Sequence, residues 1–167
     1  MATNRDTLRT WLRDAHAMEK GTIDNIERLV ARLKAFPVLA DRYQRHLEES
    51  RQQLQRLEQA LSQLGSDPSA LKDVGMKLAG IAQVYVTGPA SDEPVKHCLA
   101  AYGYENFEIA SYISLIAAAE ECGLPEIKRA CEQSLMEERA MARVIEESIA
   151  EVTGAYLRNP QAAAAAE

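Results

Sequence analysis

The sequence predicts an all-α four-helix bundle, and three observations support this fold class. Apolar residues recur at intervals of three and four through four long segments, as they do on one face of an α-helix. Proline and glycine interrupt the chain between these segments. No stretch alternates apolar and polar residues in the way that is typical of a half-buried β-strand. The interruptions are Phe36-Pro37, Asp67-Pro68, Gly88-Pro89, Gly123-Leu124-Pro125 and Asn159-Pro160.

The interruptions also indicate how the helices pair. The first and second helices are joined by a short link, and so are the third and fourth, so each pair is predicted to form an antiparallel hairpin. One long crossover joins the two hairpins, which allows the second and third helices to run parallel. The four predicted helices span residues 5–35, 38–65, 92–123 and 125–153.

The crossover and the C-terminus complete the predicted organisation. The crossover spans residues 66–91, and residues 70–84 carry apolar side chains on one helical face, which predicts a short helix within it. Residues 154–167 are low in complexity and alanine-rich, so they are predicted to form a disordered tail. We therefore expect a single bundle domain at residues 1–153.

Composition places the protein among acidic domains with one buried core. The 167 residues include 47% hydrophobic and 26% charged side chains. The net charge of −6 argues against binding to nucleic acid or to an anionic membrane. Residues 1–10 lack the apolar core of a signal peptide, and no run approaches the ~20 apolar residues that span a bilayer. We expect a cytoplasmic protein.

Several polar residues lie where the helical pattern favours apolar side chains. Apolar residues recur every three or four residues along the first helix from Leu8, and Glu19 occupies one of these positions, here called seam positions. Glu138 lies near the centre of the apolar stripe on the fourth helix. On the second helix, His46 falls within the stripe and Glu49 lies at its edge. These residues are therefore candidates for side chains that face the core.

The spacing of the acids suggests an internal repeat. Glu19 and Glu49 are 30 residues apart, and so are Glu108 and Glu138. An offset of 89 residues carries each member of the first pair onto its partner in the second. Both hairpins would then contribute one acid from each helix at the same level of the bundle.

The third helix is apolar over most of its surface, so it is expected to be buried on several sides. Two of its acids, Glu105 and Glu108, lie on or beside the face that carries Tyr102. The 89-residue offset places His16 on Glu105, which makes His16 a further candidate.

A group of inward carboxylates requires a neutralising partner. A buried ionised carboxylate costs several kcal/mol, whereas the net stability of a whole domain is roughly 5–15 kcal/mol. No Lys or Arg is predicted near the centres of the facing stripes, so basic side chains are not expected to supply the charge. A pair of metal ions fits instead, because oxygen-rich sites with a little imidazole suit iron or manganese.

Other interpretations stay open for each residue taken alone. A single glutamate at a seam position often reaches water from the rim of a bundle. A single histidine such as His46 is often a hydrogen-bonded structural residue. His97 is expected to be structural, and the role of Asp14 is left open. The combination of one glutamate from each of four helices favours the metal site.

Four strings resemble a known family. "WLRDAHAMEK", "HLEESRQQLQRLE", "YENFEIASYISL" and "LMEERAM" are similar to the YciE/YciF stress-protein family of ferritin-like four-helix bundles, and closer to its YciE branch. The resemblance covers about residues 8–150. It implies a bacterial, cytoplasmic, often dimeric protein with a di-iron-type site.

The resemblance also includes a departure. Rubrerythrins, which the family resembles in the acids at 105 and 108, carry histidines three residues after the glutamates of their second and fourth helices. This chain has Gln52 and Met141 at those positions. His16 and His46 instead precede a glutamate by three residues, and both stay candidates.

The resulting hypothesis is a carboxylate-bridged pair of metal ions, iron first and manganese second. Glu49 and Glu138 would bridge, Glu19 and Glu108 would be terminal ligands, and Glu105 would complete the second metal. His16 or His46 would assist at the first.

Stress-linked redox, peroxide or iron handling is the expected function, with peroxide or dioxygen as a small oxidant. The alternative is a non-catalytic helical stress or interaction protein with a vestigial or structural metal site. The apolar breadth of the third helix favours a homodimer.

Overall fold

A computed structural model describes residues 3–30, 33, 36–66 and 93–158. Within these ranges the chain forms four long α-helices and no β-strand. The predicted fold class is therefore confirmed. The helices are α1 at Asn4–Val30, α2 at Pro37–Gln63, α3 at Glu93–Glu121 and α4 at Pro125–Arg158.

Proline and glycine set several of these boundaries. Pro37 and Pro125 begin α2 and α4, where a missing backbone N–H has no helical partner to lose. Gly65 and Gly123 follow the ends of α2 and α3 with φ of 67° and 64°. In both turns the residue after the glycine bonds back to a carbonyl five residues earlier, which closes the helix end.

Two helix ends differ from the prediction. α1 is Asn4–Val30, whereas the predicted helix extends to residue 35, and Leu33, which the structure describes beyond Val30, is not helical. α4 continues to Arg158, so residues 154–158 are helical rather than part of a tail. Gly154 costs a helix only about 1 kcal/mol relative to alanine and does not end it. The predicted crossover helix and residues 159–167 lie outside the described residues.

The packing order and the helix directions agree with one crossover. α1 contacts α2 and α3, and α4 contacts the same two helices. In the contacts between α1 and α3, residue numbers increase along one helix as they decrease along the other, and the same holds between α2 and α4. Both of these helix pairs are therefore antiparallel. α2 and α3 therefore run in the same direction. The pairs are Glu19–Tyr112, Thr22–Glu108, Gln53–Glu137 and Arg56–Ser134.

Two apolar clusters fill the two ends of the bundle. One includes Leu12, Leu61 and Tyr112, and the other includes Tyr43 and Ile145. Between them lies a layer of buried polar side chains. This layer contains Glu19, Thr22, His46, Ser50, Gln53, Glu105, Glu108, Ser134 and Glu138. Among the described helices, none is long and apolar enough to cross a membrane.

Candidate metal centre

Side chains from three helices converge in the polar layer. One ligand atom each from His46, Glu105, Glu108 and Glu138 lies within 4.8 Å of the others. All four residues are buried. Glu19 of α1 is also fully buried, and the charge of Glu138 contributes to the raised pKa of Glu19. We refer to these five residues as the carboxylate cluster.

Helical spacing explains why these residues face inward. On α1, Glu19 follows Ala15 by four residues and precedes Thr22 by three, and all three are buried. On α3, Glu105 and Glu108 are one turn apart on the inward face. The glutamates therefore occupy core positions that the apolar neighbours on each helix define.

His46 connects the cluster to the bundle surface. Its Nδ1 lies 3.0 Å from Glu49 Oε2, and the Glu49 side chain is 32% exposed. Its Nε2 lies 3.5 Å from Glu105 Oε2 and 3.6 Å from Glu138 Oε2. A carboxylate on one ring nitrogen fixes the tautomer and leaves the other nitrogen available as a ligand. The hydrogen bond from His46 lowers the pKa of Glu49.

Hydroxyl groups bond to two of the glutamates. Tyr112 donates to Glu19 Oε1 at 2.6 Å, and Thr22 donates to Glu108 Oε1 at 2.5 Å. Five further oxygens of the cluster are buried and have no hydrogen-bond partner among the described residues. They are Glu19 Oε2, Glu105 Oε2, Glu108 Oε2 and both oxygens of Glu138, and the same holds for His46 Nε2.

The electrostatics of the cluster oppose ionisation. Burial raises the pKa of Glu19, Glu105 and Glu108 well above the ordinary value, and the nearby charge of Glu138 raises each further. Burial also raises the pKa of Tyr112, with Glu19 as the next cause. Glu19 and Glu105 also raise the pKa of Glu108, and a cation placed among the carboxylates would lower these raised pKa values.

A basic side chain lies closer to this layer than the sequence indicates. Arg56 bonds to Ser134 Oγ at 3.2 Å and to the carboxylate of Glu137, and Gln53 Nε2 donates to Glu137 Oε2 at 3.0 Å. The expectation of no nearby Lys or Arg is therefore wrong for this seam. The long side chain of Arg56 reaches inward from the margin of the α2 stripe. Arg56 lowers the pKa of Glu19 and Glu137 raises it, so the two charges act on the cluster in opposite directions.

The structure separates the sequence-predicted site residues into three groups. Glu19, Glu105, Glu108, Glu138 and His46 come together in the cluster. Glu49 lies behind His46, because the inward face of α2 passes through Ser50 and Gln53 instead. His16 is buried, but its Nε2 lies 3.2 Å from Glu58 Oε1 and outside the group of converging ligand atoms.

Four residues in or beside the polar layer that donate hydrogen bonds to carboxylates were not predicted from the sequence, namely Thr22, Gln53, Arg56 and Tyr112. A signal was present for Tyr112, which follows Glu108 by four residues and so shares its face. Thr22 follows Glu19 by three and stands at a seam position where an apolar residue is expected. For Gln53 and Arg56, spacing alone gives no comparable signal.

Together, fold and site define a ferritin-like four-helix bundle with a buried carboxylate–histidine cluster that could hold a metal ion. A family model described as a domain of unknown function (DUF892) matches residues 3–158, and the chain belongs to this family.

Solved structures of similar proteins agree with this assignment. A protein of Xanthomonas campestris pv. campestris is 29% identical with a TM-score of 0.80, and the match covers 96% of this chain and 99% of that one. The E. coli stress protein YciF is 22% identical with a TM-score of 0.76, with coverage of 92% and 99%, and shows the shared fold. YcfI from Rhodopseudomonas palustris is 26% identical with a TM-score of 0.65, with coverage of 87% and 94%. The predicted YciE/YciF family is confirmed, and the closer likeness to the YciE branch stays a prediction.

Proposed function

We propose that the protein binds two metal ions in the carboxylate cluster, iron first and manganese second, for stress-linked redox, peroxide or iron handling. The observation that carries the proposal is the set of buried oxygen and nitrogen atoms that have no hydrogen-bond partner among the described residues, enclosed between two apolar clusters. Leaving such groups unsatisfied costs about 1–3 kcal/mol each, and more when they are charged. Bound cations remove that cost.

Charge supports two ions rather than one. The cluster contains four carboxylates, from Glu19, Glu105, Glu108 and Glu138, and no Lys or Arg. Four ionised carboxylates match the charge of two divalent cations. Hard oxygen donors with one imidazole favour iron or manganese over zinc, which prefers sulfur and nitrogen.

The partners of each oxygen suggest individual roles. Neither oxygen of Glu138 has a hydrogen-bond partner in the part of the chain that the structure describes, which suits a bridging ligand. Glu19 and Glu108 each have one such oxygen, which suits terminal ligands. Glu105 and His46 Nε2 complete the set. In this arrangement Glu49 orients His46 instead of bridging, and His16 bonds to Glu58 without acting as a ligand.

The surroundings fit redox chemistry with a small oxidant. A pair of bound metal ions supplies electrons and a template for orienting peroxide or dioxygen. The chain's own contribution is to exclude bulk water with the flanking apolar clusters and to hold the ligand atoms in place. The two clusters bracket the layer with Leu57 and Leu115 on one side and Met141 on the other.

The exposed apolar side chains of α3 favour a second proposal, that two copies of the chain associate. Leu99 is 54% exposed and Ile113 is 46% exposed on a helix that is apolar on most sides. In a non-catalytic stress or interaction protein this surface would be the functional feature and the metal site structural. We further propose a bacterial cytoplasmic location without nucleic-acid or membrane partners, in keeping with the net charge of −6.

Metal analysis tests the proposed function. Protein purified without chelator should contain about two equivalents of iron or manganese per chain. Glu138→Gln should lose this metal, whereas Glu146→Gln, an exposed acid two turns further along α4, should keep it. Full metal content in Glu138→Gln would contradict the assignment. Peroxide consumption with near-ultraviolet absorption of a ferric pair would separate redox function from the non-catalytic alternative.

A further inference from the structure

The seam between α1 and α3 contains two hydrogen bonds that cross it in opposite directions. Tyr112 on α3 donates to Glu19 on α1, and Thr22 on α1 donates to Glu108 on α3. All four residues are at most 3% exposed. Each helix therefore holds the carboxylate of the other.

Both bonds end on one oxygen of the carboxylate. They reach Oε1 of Glu19 and Oε1 of Glu108, and each Oε2 is buried without a hydrogen-bond partner among the described residues. Thr22 Oγ1 also lies 3.2 Å from Met18 O, but its single hydrogen has the shorter contact, 2.5 Å, with Glu108. Glu138 differs, because neither of its oxygens has a hydrogen-bond partner in the described part of the chain.

We propose that Tyr112 and Thr22 are positioning residues that hold Glu19 and Glu108 as single-oxygen ligands, leaving Glu138 free to bridge. This inference rests on the proposed metal-binding function. A hydroxyl bonded to one carboxylate oxygen occupies one of its lone pairs and fixes the orientation of the carboxylate, so the other oxygen is more readily available to a metal ion. A carboxylate without that bond can turn and bind through both oxygens.

Metal selectivity follows from this constraint. Calcium takes six to eight oxygen ligands and readily accepts two from one carboxylate, whereas first-row transition ions bind fewer, more directional ligands. The two hydroxyl groups therefore favour transition-metal ions over calcium. Loss of either hydroxyl should lower the affinity for the transition-metal ion and reduce the ratio of that affinity to the affinity for calcium.

Cobalt titration of metal-free protein tests the inference, because the visible bands of Co²⁺ report both affinity and coordination. Tyr112→Phe and Thr22→Val should each bind Co²⁺ about 10–100-fold more weakly than the wild type. The visible absorption bands of Co²⁺ bound to these variants should change, and Ca²⁺ should displace Co²⁺ from them more readily than from the wild type. Thr22→Ser, which restores the hydroxyl, should recover wild-type affinity. Tyr156→Phe removes the hydroxyl of a partly buried tyrosine 18 residues beyond Glu138 on α4 and should leave the affinity for Co²⁺ unchanged.

The outcomes separate the two proposals. A wild-type protein that binds no Co²⁺ removes the metal-binding function and this inference with it. In a second outcome, the wild type binds Co²⁺ while Tyr112→Phe and Thr22→Val show the same Co²⁺ affinity, the same visible bands and the same competition by Ca²⁺ as the wild type. That result overturns the positioning role alone.

If either variant fails to fold, the positioning role can be tested by NMR on wild-type protein with isotope-labelled tyrosine rings, titrated with Zn²⁺. The Tyr112 resonance should then shift as zinc binds. Zinc binding without a shift of Tyr112 overturns the inference.

Discussion

Two adjacent carboxylates of α4, Glu137 and Glu138, differ in the partners that surround them in the bundle. At the α2–α4 seam, Glu137 is 17% exposed and bonds to Arg56 and Gln53, so its charge has partners within the chain. Next to it in sequence, Glu138 is fully buried and has no hydrogen-bond partner on either oxygen among the described residues. Among the described residues, Arg56 supplies a positive charge to Glu137, whereas Glu138 lies 3.6 Å from Nε2 of His46, which is charged only when protonated. The carboxylate cluster could therefore hold a cation from outside the chain.

The largest expected effect on stability comes from removing the internal cation. Arg56→Met should destabilise the protein by about 3 kcal/mol, because it leaves the mostly buried Glu137 carboxylate without its charged partner. Urea denaturation measures the change. Arg45→Met, which removes the exposed Arg45–Asp41 pair, should cost less than about 1 kcal/mol. Similar losses in both variants would show that the Arg56–Glu137 pair is no different from a surface pair.

The adjacent acids should respond in opposite directions when each is changed to glutamine. In metal-free protein at pH 8, Glu138→Gln should raise the free energy of unfolding by about 1 kcal/mol or more, since it removes a charge that opposes ionisation of Glu19, Glu105 and Glu108. Glu137→Gln should lower it by about 1–2 kcal/mol, because Arg56 loses its carboxylate. The comparison fails if both variants shift stability in the same direction.

Much of this arrangement was predictable from the sequence, because helical periodicity decides which side chains share a face. The inward positions of Glu19, Glu108 and Glu138 follow from the apolar residues one turn away on each helix. The repeat of 89 residues predicts equal positions for Glu49 and Glu138, yet only Glu138 is fully buried. The rotation of α2 about its axis makes the difference, and it depends on packing against α4.

The missed residues share a physical reason. Arg56 lies at the margin of its stripe, and only its long side chain brings the charge inward. Tyr112 lies on a helix that is apolar on most sides, where an aromatic residue is indistinguishable from core packing in the sequence. The role of its hydroxyl depends on a carboxylate 93 residues away in the chain. Partners at such distances are set by the fold and not by local spacing.

The pH dependence of stability has a definite sign. Raised pKa values of Glu19, Glu105 and Glu108 mean that folded, metal-free protein retains protons that the unfolded chain releases above the ordinary pKa of 4.5. The stability of the metal-free protein should therefore fall as pH rises above about 5, where the unfolded chain is ionised and the folded chain keeps these protons.

Metal-loaded protein should show the reverse trend, since metal binding requires ionised carboxylates and strengthens as pH rises. The lowered pKa of Glu49 acts only below its ordinary value and does not affect this window. Thermal unfolding of both forms across the pH range measures the two trends. Parallel pH profiles for the two forms would contradict metal binding to these carboxylates.

Anomalous X-ray scattering from crystals of protein loaded with iron or manganese tests the central claim most directly. The account predicts two anomalous peaks about 3.5–4 Å apart, with Glu138 between them and Glu19, Glu108, Glu105 and His46 around them. The absence of any peak among these five side chains in metal-loaded crystals would contradict it.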